Sequence, residues 1–102
     1  MPIICRVGDT LTTGHDCDAI TIIAAPNTDG TVHANGIDII VVGAPTVSHL
    51  IPGGVIPCVP HVAVLNAGSS SVFINGISVG RIGDSADAGA MISGSPNVFA
   101  GG

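Results

Sequence analysis

The sequence predicts an all-β fold in a single domain that spans residues 1–102. Val, Ile and Thr supply 33 of the 102 residues, whereas Leu, Met and Arg together supply 7, and Lys, Glu and Gln do not occur. β-Branched residues favour strands and straight-chain residues favour helices, so a helical bundle is excluded. The 15 Gly and 7 Pro residues fit a chain of many short strands joined by tight turns. A chain of this length suits one domain.

An internal repeat predicts the first strands. Residues 72–77 (VFINGI) match residues 32–37 (VHANGI) at an offset of 40, and the same offset aligns Gly83 with Gly43. Each copy reads as a strand, an Asn-Gly turn and a return strand, because Asn-Gly suits the type I′ turn of a two-residue hairpin. The sequence therefore predicts two equivalent hairpins.

The two ends of the chain supply a third copy. Residues 6–9 (RVGD) match residues 81–84 (RIGD) at an offset of 75, and residues 94–100 resemble the outgoing strand around residues 70–74. A lone hairpin is marginal in water, and closing the units on one another hides strand edges. We therefore expect a compact pseudo-threefold arrangement of short hairpins, with the termini close together.

Histidine and cysteine side chains follow the predicted strand ends. His15 and His49 come at similar distances after Gly8 and Gly43, and the long irregular segment between the hairpins contains Cys58-Val59-Pro60-His61. If these loops converge, His15, His49, Cys58 and His61 form a closed tetrahedral set of three nitrogens and one sulfur. Such a set suits Zn²⁺, and Fe also accepts these ligands. Four protein ligands leave no open position, so the predicted metal is structural. Surface histidines with a buried cysteine are the alternative.

The remaining cysteines have separate interpretations. Three Cys is an odd number, which argues against a disulfide framework and fits a reducing compartment or a metal site. Cys5 lies in a return strand and is expected to pack in the core. Cys17 is a spare ligand candidate, although Asp16 and Asp18 beside it oppose thiolate formation.

Other polar residues of the repeat are assigned structural roles. His33 occupies the position of Phe73 and Phe99 within a strand, so core or interface packing is favoured over metal binding. Asp9 and Asp84 recur with the repeat and are expected to cap turns rather than catalyse.

The charge balance limits the partners. The formal net charge is −5, and two Arg without any Lys cannot neutralise a run of phosphates, so nucleic-acid binding is not expected. No basic amphipathic segment serves an anionic membrane, and Pro residues break the apolar stretches well short of the roughly 20 residues of a spanning helix. The N-terminus shows no apolar signal region, which predicts synthesis in the cytoplasm without a signal peptide.

The sequence does not favour an enzyme. Hydrolytic zinc sites need an open coordination position and a carboxylate base, and Glu does not occur. Residues 69–71 (SSS) have no base positioned by the sequence. Two alternatives stay open beside a non-enzymatic metal-stabilised protein: a small zinc-dependent hydrolase and a metal-free β adaptor.

Several short motifs together resemble one known family. Residues 72–84 (VFINGISVGRIGD), the Gly14-His15 pair and residues 94–99 (GSPNVF) occur in the order seen in PAAR-repeat proteins, and the resemblance covers essentially the whole chain. The tetrapeptide Pro-Ala-Ala-Arg that names the family aligns with residues 78–81 and 3–6, where only the Arg is retained.

The resemblance implies a small cone that caps a trimeric β-helical spike, one monomer per trimer, in a contractile injection machine such as a type VI secretion system or a phage tail. It also implies a metal near the point, at His15, His49, Cys58 and His61. The protein would help to pierce a target envelope, meet the target membrane only transiently and be delivered outward from the machine, with effector cargo as a further partner. The hydrophobic hairpin strands would form the docking face.

Overall fold

The computed structural model describes residues 2–30 and 32–101, and these residues form ten short strands and no helix. Consecutive strands pair as antiparallel two-stranded hairpins. The all-β prediction is confirmed. The strands are β1 (Thr10–Thr12), β2 (Ile20–Ile22), β3 (His33–Ala34), β4 (Ile37–Asp38), β5 (His49–Gly53), β6 (Ile56–His61), β7 (Phe73–Ile74), β8 (Ile77–Ser78), β9 (Ser85–Ala86) and β10 (Gly89–Ala90).

The two predicted Asn-Gly hairpins are present as β3–β4 and β7–β8. Asn35 and Gly36 have φ of 57° and 76°, and Asn75 and Gly76 have φ of 53° and 79°. These left-handed values at both central positions are the ones that a type I′ turn requires. The repeat therefore folds as its turn chemistry predicts.

The two ends of the chain pair with each other. Ile3 forms an antiparallel bridge with Phe99, and the Ile4 amide donates to the Val98 carbonyl at 2.9 Å. The Ala100 amide donates to the Pro2 carbonyl at 3.0 Å. The prediction that the termini lie close together is confirmed. Together the two terminal segments form the third strand pair of the repeat.

A closed ring of backbone hydrogen bonds joins the three repeat-related segments. The Cys5 amide donates to the Gly80 carbonyl (2.9 Å), the Gly80 amide to the Ile40 carbonyl (2.9 Å), and the Ile40 amide back to the Cys5 carbonyl (3.2 Å). The offsets of 75 and 40 that align the repeats also align these three residues. Each segment therefore makes the same contact with the next one.

The core repeats this arrangement. One buried cluster contains Ile4, Ile39 and Val79, which correspond to one another in the repeat, packed with Val41. A second cluster includes Leu65 and the fully buried Cys5. Apolar side chains from all three segments therefore meet in the interior, which is the main favourable contribution to folding.

The third repeat copy has Gly80 at the position of Cys5 and Ile40. Neighbouring side chains already fill the space that a side chain at position 80 would need. A Cβ built on Gly80 would lie 2.5 Å from the Leu65 Cδ2 and 3.0 Å from the Ile40 Cγ1, which is closer than side chains pack. The core thus tolerates a side chain at two of the three equivalent positions, and Leu65 occupies the volume of the third.

The predicted aspartate caps are confirmed. The Asp9 carboxylate accepts a hydrogen bond from the Arg6 amide at 2.6 Å, and the Asp84 carboxylate accepts one from the Arg81 amide at 2.7 Å. Both carboxylates also bind the Nε of the same arginine at 3.1 Å. The third copy has the fully buried Val41 in the arginine position and Ala44 in the aspartate position. Its turn therefore lacks the ion pair but keeps the backbone hydrogen bond from the Ala44 amide to the Val41 carbonyl (3.0 Å).

The segment around Cys58, which we expected to be irregular, is instead the longest hairpin of the fold. Strands β5 and β6 pair from His49–His61 to Gly53–Ile56, with a register shift between Ile51 and Gly53. Its prolines lack an amide donor, so the sequence of this segment gives no clear strand signal. A two-stranded hairpin consists only of edge strands, where a proline can face away from the partner strand.

The molecule is longer in one direction than in the others, with principal extents of 42 × 25 × 22 Å and a radius of gyration of 13.3 Å. Among the residues that the structure describes, there is no helix of the length and hydrophobicity needed to cross a bilayer.

Candidate metal centre

Three separate hairpins bring potential metal ligands to one place. The ligand atoms of the group all lie within 4.8 Å of one another. One comes from the loop between β1 and β2, two from the open end of β5–β6, and one from the turn of β9–β10. The group consists of His15, His49, His61 and Asp87.

His49 and His61 are held together by strand pairing. They face each other in the register of β5 and β6, and their rings lie 4.9 Å apart in an edge-to-face arrangement. The side chain of His49 is only 3% exposed and that of His61 27% exposed. Cross-strand neighbours of this kind have Cβ atoms about 4.5–5.5 Å apart. The local hairpin alone therefore sets half of the group.

His15 reaches the group because its loop packs closely against another loop. Gly14 has φ of 74°, and a Cβ at this position would overlap the Ala88 carbonyl. The Ala88 amide donates to the Thr13 carbonyl at 2.9 Å, which holds the two loops together. The ring of His15 stacks parallel to the ring of His49 with centroids 5.3 Å apart. Glycine at position 14 is thus required both for the backbone conformation and for the close approach.

Asp87 occupies the two-residue turn of β9–β10. Its φ is 54°, in the left-handed region that aspartate and asparagine tolerate better than most residues. The Asn66 side-chain amide donates to the Asp87 carbonyl at 2.9 Å and so fixes this turn from outside. The side chain is 8% exposed. The turn directs the carboxylate towards the three imidazoles.

The distances within the group suit a small divalent ion. The Nε2 atoms of His15 and His49 both lie 2.9 Å from the Asp87 Oδ2, and the Nε2 of His61 lies 3.4 Å from it. Four ligands at the Zn–N and Zn–O distances of about 2.0–2.1 Å lie about 3.3 Å from one another in a tetrahedron. The three distances from the Asp87 carboxylate to the imidazoles are therefore close to the edge length of a tetrahedral zinc site, and all four ligand atoms lie within 4.8 Å of one another.

Backbone carbonyls orient two of the imidazoles. The Nδ1 of His15 donates to the Asp16 carbonyl at 2.9 Å, and the Nδ1 of His49 donates to the Val47 carbonyl at 2.9 Å. Both Nε2 atoms face the Asp87 carboxylate at 2.9 Å. With the Nδ1 proton committed to the backbone, removal of the Nε2 proton gives a neutral ring whose Nε2 lone pair points at the centre of the group and can bind a metal. This arrangement of a ligand histidine and an outer hydrogen-bond acceptor is typical of metal centres.

The electrostatics of the group favour the charged forms of Asp87 and His15. Burial raises the pKa of Asp87, but the hydrogen bonds from His49, His15 and His61 outweigh it and hold the pKa below its ordinary value. The pKa of His15 is raised, chiefly by the hydrogen bond to the Asp16 carbonyl and further by Asp87, against the opposing effect of burial. Asp87 therefore stabilises the fold above the ordinary carboxyl pKa, and this contribution is lost as the pH falls through the lowered pKa. Positive charge is favoured at this point.

Cys58 does not belong to the group, contrary to the sequence prediction. Its sulfur forms a disulfide with Cys17, with an S–S distance of 2.02 Å and Cα atoms 6.0 Å apart. Successive side chains of a strand point to opposite faces, so the three-residue separation in β6 places Cys58 on the face away from His61. The Cys-x-x-His spacing fits a metal hook in a turn, but not in an extended strand. The disulfide also corrects the expectations of no disulfide framework and of Cys17 as a spare ligand.

Asp87 was missed by the sequence analysis, although the signal was present. Residues 85–89 follow Gly83 in the repeat as the loops that carry His15 and His49 follow Gly8 and Gly43, but they contain no histidine. In the structure this third loop supplies the carboxylate. A search for any oxygen, nitrogen or sulfur ligand at the three equivalent strand ends would have found it.

His33 and Cys5 lie outside the group. His33 is exposed rather than packed in the core, and its Nε2 lies 2.8 Å from the Asp38 Oδ1 across β3–β4. Cys5 is fully buried, as predicted, and burial raises its pKa to about 12, with Asp9 and Asp84 contributing.

Comparison with known proteins adds no assignment. No protein-family model matches the chain, and no curated protein matches it significantly. The fold and the site define an all-β domain of short hairpins with a His₃Asp group that could hold a metal ion.

Proposed function

We propose that the protein is the metal-stabilised tip of the spike of a contractile injection machine, such as a type VI secretion system or a phage tail. In this proposal the protein caps a trimeric β-helical spike, helps to pierce the target envelope and has no catalytic activity of its own. The observation that carries the proposal is the closed ring of hydrogen bonds through Cys5, Ile40 and Gly80. One chain thereby presents three similar sides, which is what a monomer needs to cap a threefold-symmetric partner.

Exposed apolar side chains at repeat-equivalent positions support the docking part of the proposal. Phe73 and Phe99 are each 51% exposed, and Ile37 and Ile77 are 39% and 38% exposed. Apolar residues that recur on different sides of a protein suit a partner with the same symmetry. The third position of the phenylalanine set is His33, so we propose that two sides dock through an aromatic ring and one through the His33–Asp38 pair.

The metal has a structural role in this proposal. His15, His49, His61 and Asp87 would bind a zinc ion, with iron as an alternative, and the ion would tie three hairpins of two to six residues per strand to one another. Structural zinc contributes on the order of 10 kcal/mol to folding in small domains. Because all four ligands come from the chain, no position is left for a substrate, which is the reason for preferring a structural over a hydrolytic site.

The elongated outline supports a tapered tip. The longest extent is 42 Å, and Val55 in the turn of β5–β6 is fully exposed. We propose that the molecule narrows to a cone, with the metal end distant from the docking strands. A complex with the metal group buried against the spike would contradict this polarity.

The docking proposal is tested by binding to a purified trimeric β-helical spike protein from the same organism. We expect a complex of one copy of this chain per trimer, measured by light scattering after size-exclusion chromatography. Replacing Phe73 and Phe99 by Asp should abolish the complex. The matched control is Ile20→Asp, which changes an apolar side chain that is 59% exposed on β2. Failure of the wild-type protein to bind, or equal loss with the control, would refute the proposed docking face.

A further inference from the structure

Two hydrogen bonds between Asp18 and Leu50 join the loop between β1 and β2 to the β5–β6 hairpin. The Leu50 amide donates to the Asp18 carboxylate at 2.8 Å, and the Asp18 amide donates to the Leu50 carbonyl at 3.1 Å. Within the loop, the Thr13 hydroxyl donates to the Asp18 carbonyl at 2.6 Å. His15 lies in the middle of this loop, three residues away from the contact. A covalent link to β5–β6 close to His15 would restrict the position of this imidazole further.

The Cys17–Cys58 disulfide supplies that link. It joins two residues that are 41 apart in sequence, one in the His15 loop and one in β6. Cys17 follows His15 by two residues, and Cys58 precedes His61 by three. The bond thus connects the segment that carries one imidazole of the group to the strand that carries another.

We propose that the Cys17–Cys58 disulfide is a positioning cross-link for the metal centre, so that the oxidised protein binds a divalent metal more tightly than the reduced protein. This inference rests on the metal site of the proposed function. The physical reason is preorganisation: the cross-link orders the His15 loop before the ion arrives, so that metal binding no longer bears that entropic cost. We expect a difference of about tenfold in the dissociation constant, carried mainly by faster metal release from the reduced protein.

The coupling works in both directions. If the disulfide tightens metal binding, the bound metal must stabilise the disulfide by the same factor. Formation of the bond removes two protons and two electrons from the two thiols. A disulfide of the surroundings, either of low molecular weight or in a thiol–disulfide oxidoreductase, takes them up and becomes two thiols. The cross-link would close when the protein enters an oxidising compartment.

A competing role for Cys58 predicts the opposite result. If the reduced Cys58 turned towards the imidazoles, its thiolate would join or replace Asp87, and reduction would tighten metal binding. The extended conformation of β6 argues against this, since residues three apart on a strand lie on opposite faces. The sign of the redox effect therefore distinguishes a cross-link from a ligand.

The test measures zinc affinity and release on the full chain by competition with a chromophoric chelator, with the disulfide intact and after reduction by a phosphine. We expect about tenfold weaker binding after reduction. Cys17→Ser should reproduce the reduced state, whereas Cys5→Ser, which removes the buried free thiol, should not. If Cys17→Ser does not fold, reduction of the wild-type protein still gives the comparison.

The outcomes separate the two proposals. Zinc binding of equal strength in both redox states would overturn the cross-link but leave the metal site intact. Tighter binding on reduction, with a sulfur-to-cobalt charge-transfer band when Co²⁺ replaces zinc, would overturn the cross-link in favour of Cys58 as a ligand. No zinc binding in either state would instead refute the metal site on which the inference rests.

Discussion

Replacement of Asp87 by asparagine tests the metal centre most directly, because it keeps the shape of the side chain and removes its charge. Four ligands share a structural zinc affinity of about 10–16 kcal/mol, so one ligand accounts for about 3 kcal/mol. Asp87 contacts all three imidazoles, at 2.9, 2.9 and 3.4 Å. We therefore expect zinc to bind Asp87→Asn about a hundredfold more weakly than the wild-type protein.

The change is measurable as a melting temperature. At a fixed excess of zinc, a hundredfold larger dissociation constant lowers the contribution of bound zinc to the free energy of unfolding by about 2.7 kcal/mol. For a chain of 102 residues this corresponds to about 10–20 °C. Differential scanning calorimetry with and without zinc gives the increment due to the metal for each protein. The comparison uses this increment because Asp87→Asn also alters the metal-free protein through the lost histidine contacts.

Asp38→Asn provides the matched control. Asp38 also contacts a histidine, with 2.8 Å between its Oδ1 and the His33 Nε2, but it stands outside the group. Its substitution should leave the increment due to zinc unchanged. Equal zinc-dependent increments in the wild-type protein and in Asp87→Asn would refute the reasoning that places this carboxylate among the ligands.

Two further predictions concern titration and thiol reactivity. Zinc affinity should fall as the pH is lowered, because protons compete for the Nε2 lone pairs, and the fall should begin above the ordinary histidine pKa of 6.5 because the pKa of His15 is raised. Competition titrations between about pH 8 and pH 6 check this, and an affinity that is constant over that range would contradict it. In the reduced protein, Cys5 should resist alkylation at about pH 8 while Cys17 and Cys58 react, since a pKa of about 12 leaves roughly one Cys5 in ten thousand ionised. Mass spectrometry after iodoacetamide treatment counts the modified thiols, and modification of all three at similar rates would show that Cys5 is accessible.

Local turn chemistry made part of the fold predictable. Asn35-Gly36 and Asn75-Gly76 adopt the left-handed conformations that their residue types favour, and the matched aspartates cap matched turns. The pairing of the termini was also predictable, because the repeat contains two complete copies and two halves. Each of these features depends on contacts between residues close in sequence or on a pattern that repeats along the chain.

The β5–β6 hairpin was not predictable in the same way. Its three prolines, at positions 52, 57 and 60, read as loop signals in isolation. Whether a proline interrupts a strand depends on which edge faces a partner, and that is settled only when the second strand is in place. The wrong assignment of Cys58 as a ligand follows from the wrong prediction of an irregular segment. The direction in which a side chain points depends on the backbone conformation.

By itself, the sequence determined the β class, the repeat, the paired ends and three of the four grouped ligands, because composition, turn residues and periodic spacing act locally. The tertiary structure alone decided the pairing of two cysteines, and it identified Asp87, in the third of the equivalent loops, as the fourth ligand. Asp87 and His15 are 72 residues apart, and Cys17 and Cys58 are 41 apart. Which side chains meet over such separations depends on how the hairpins pack and on which face each strand presents, and no local spacing rule contains that information.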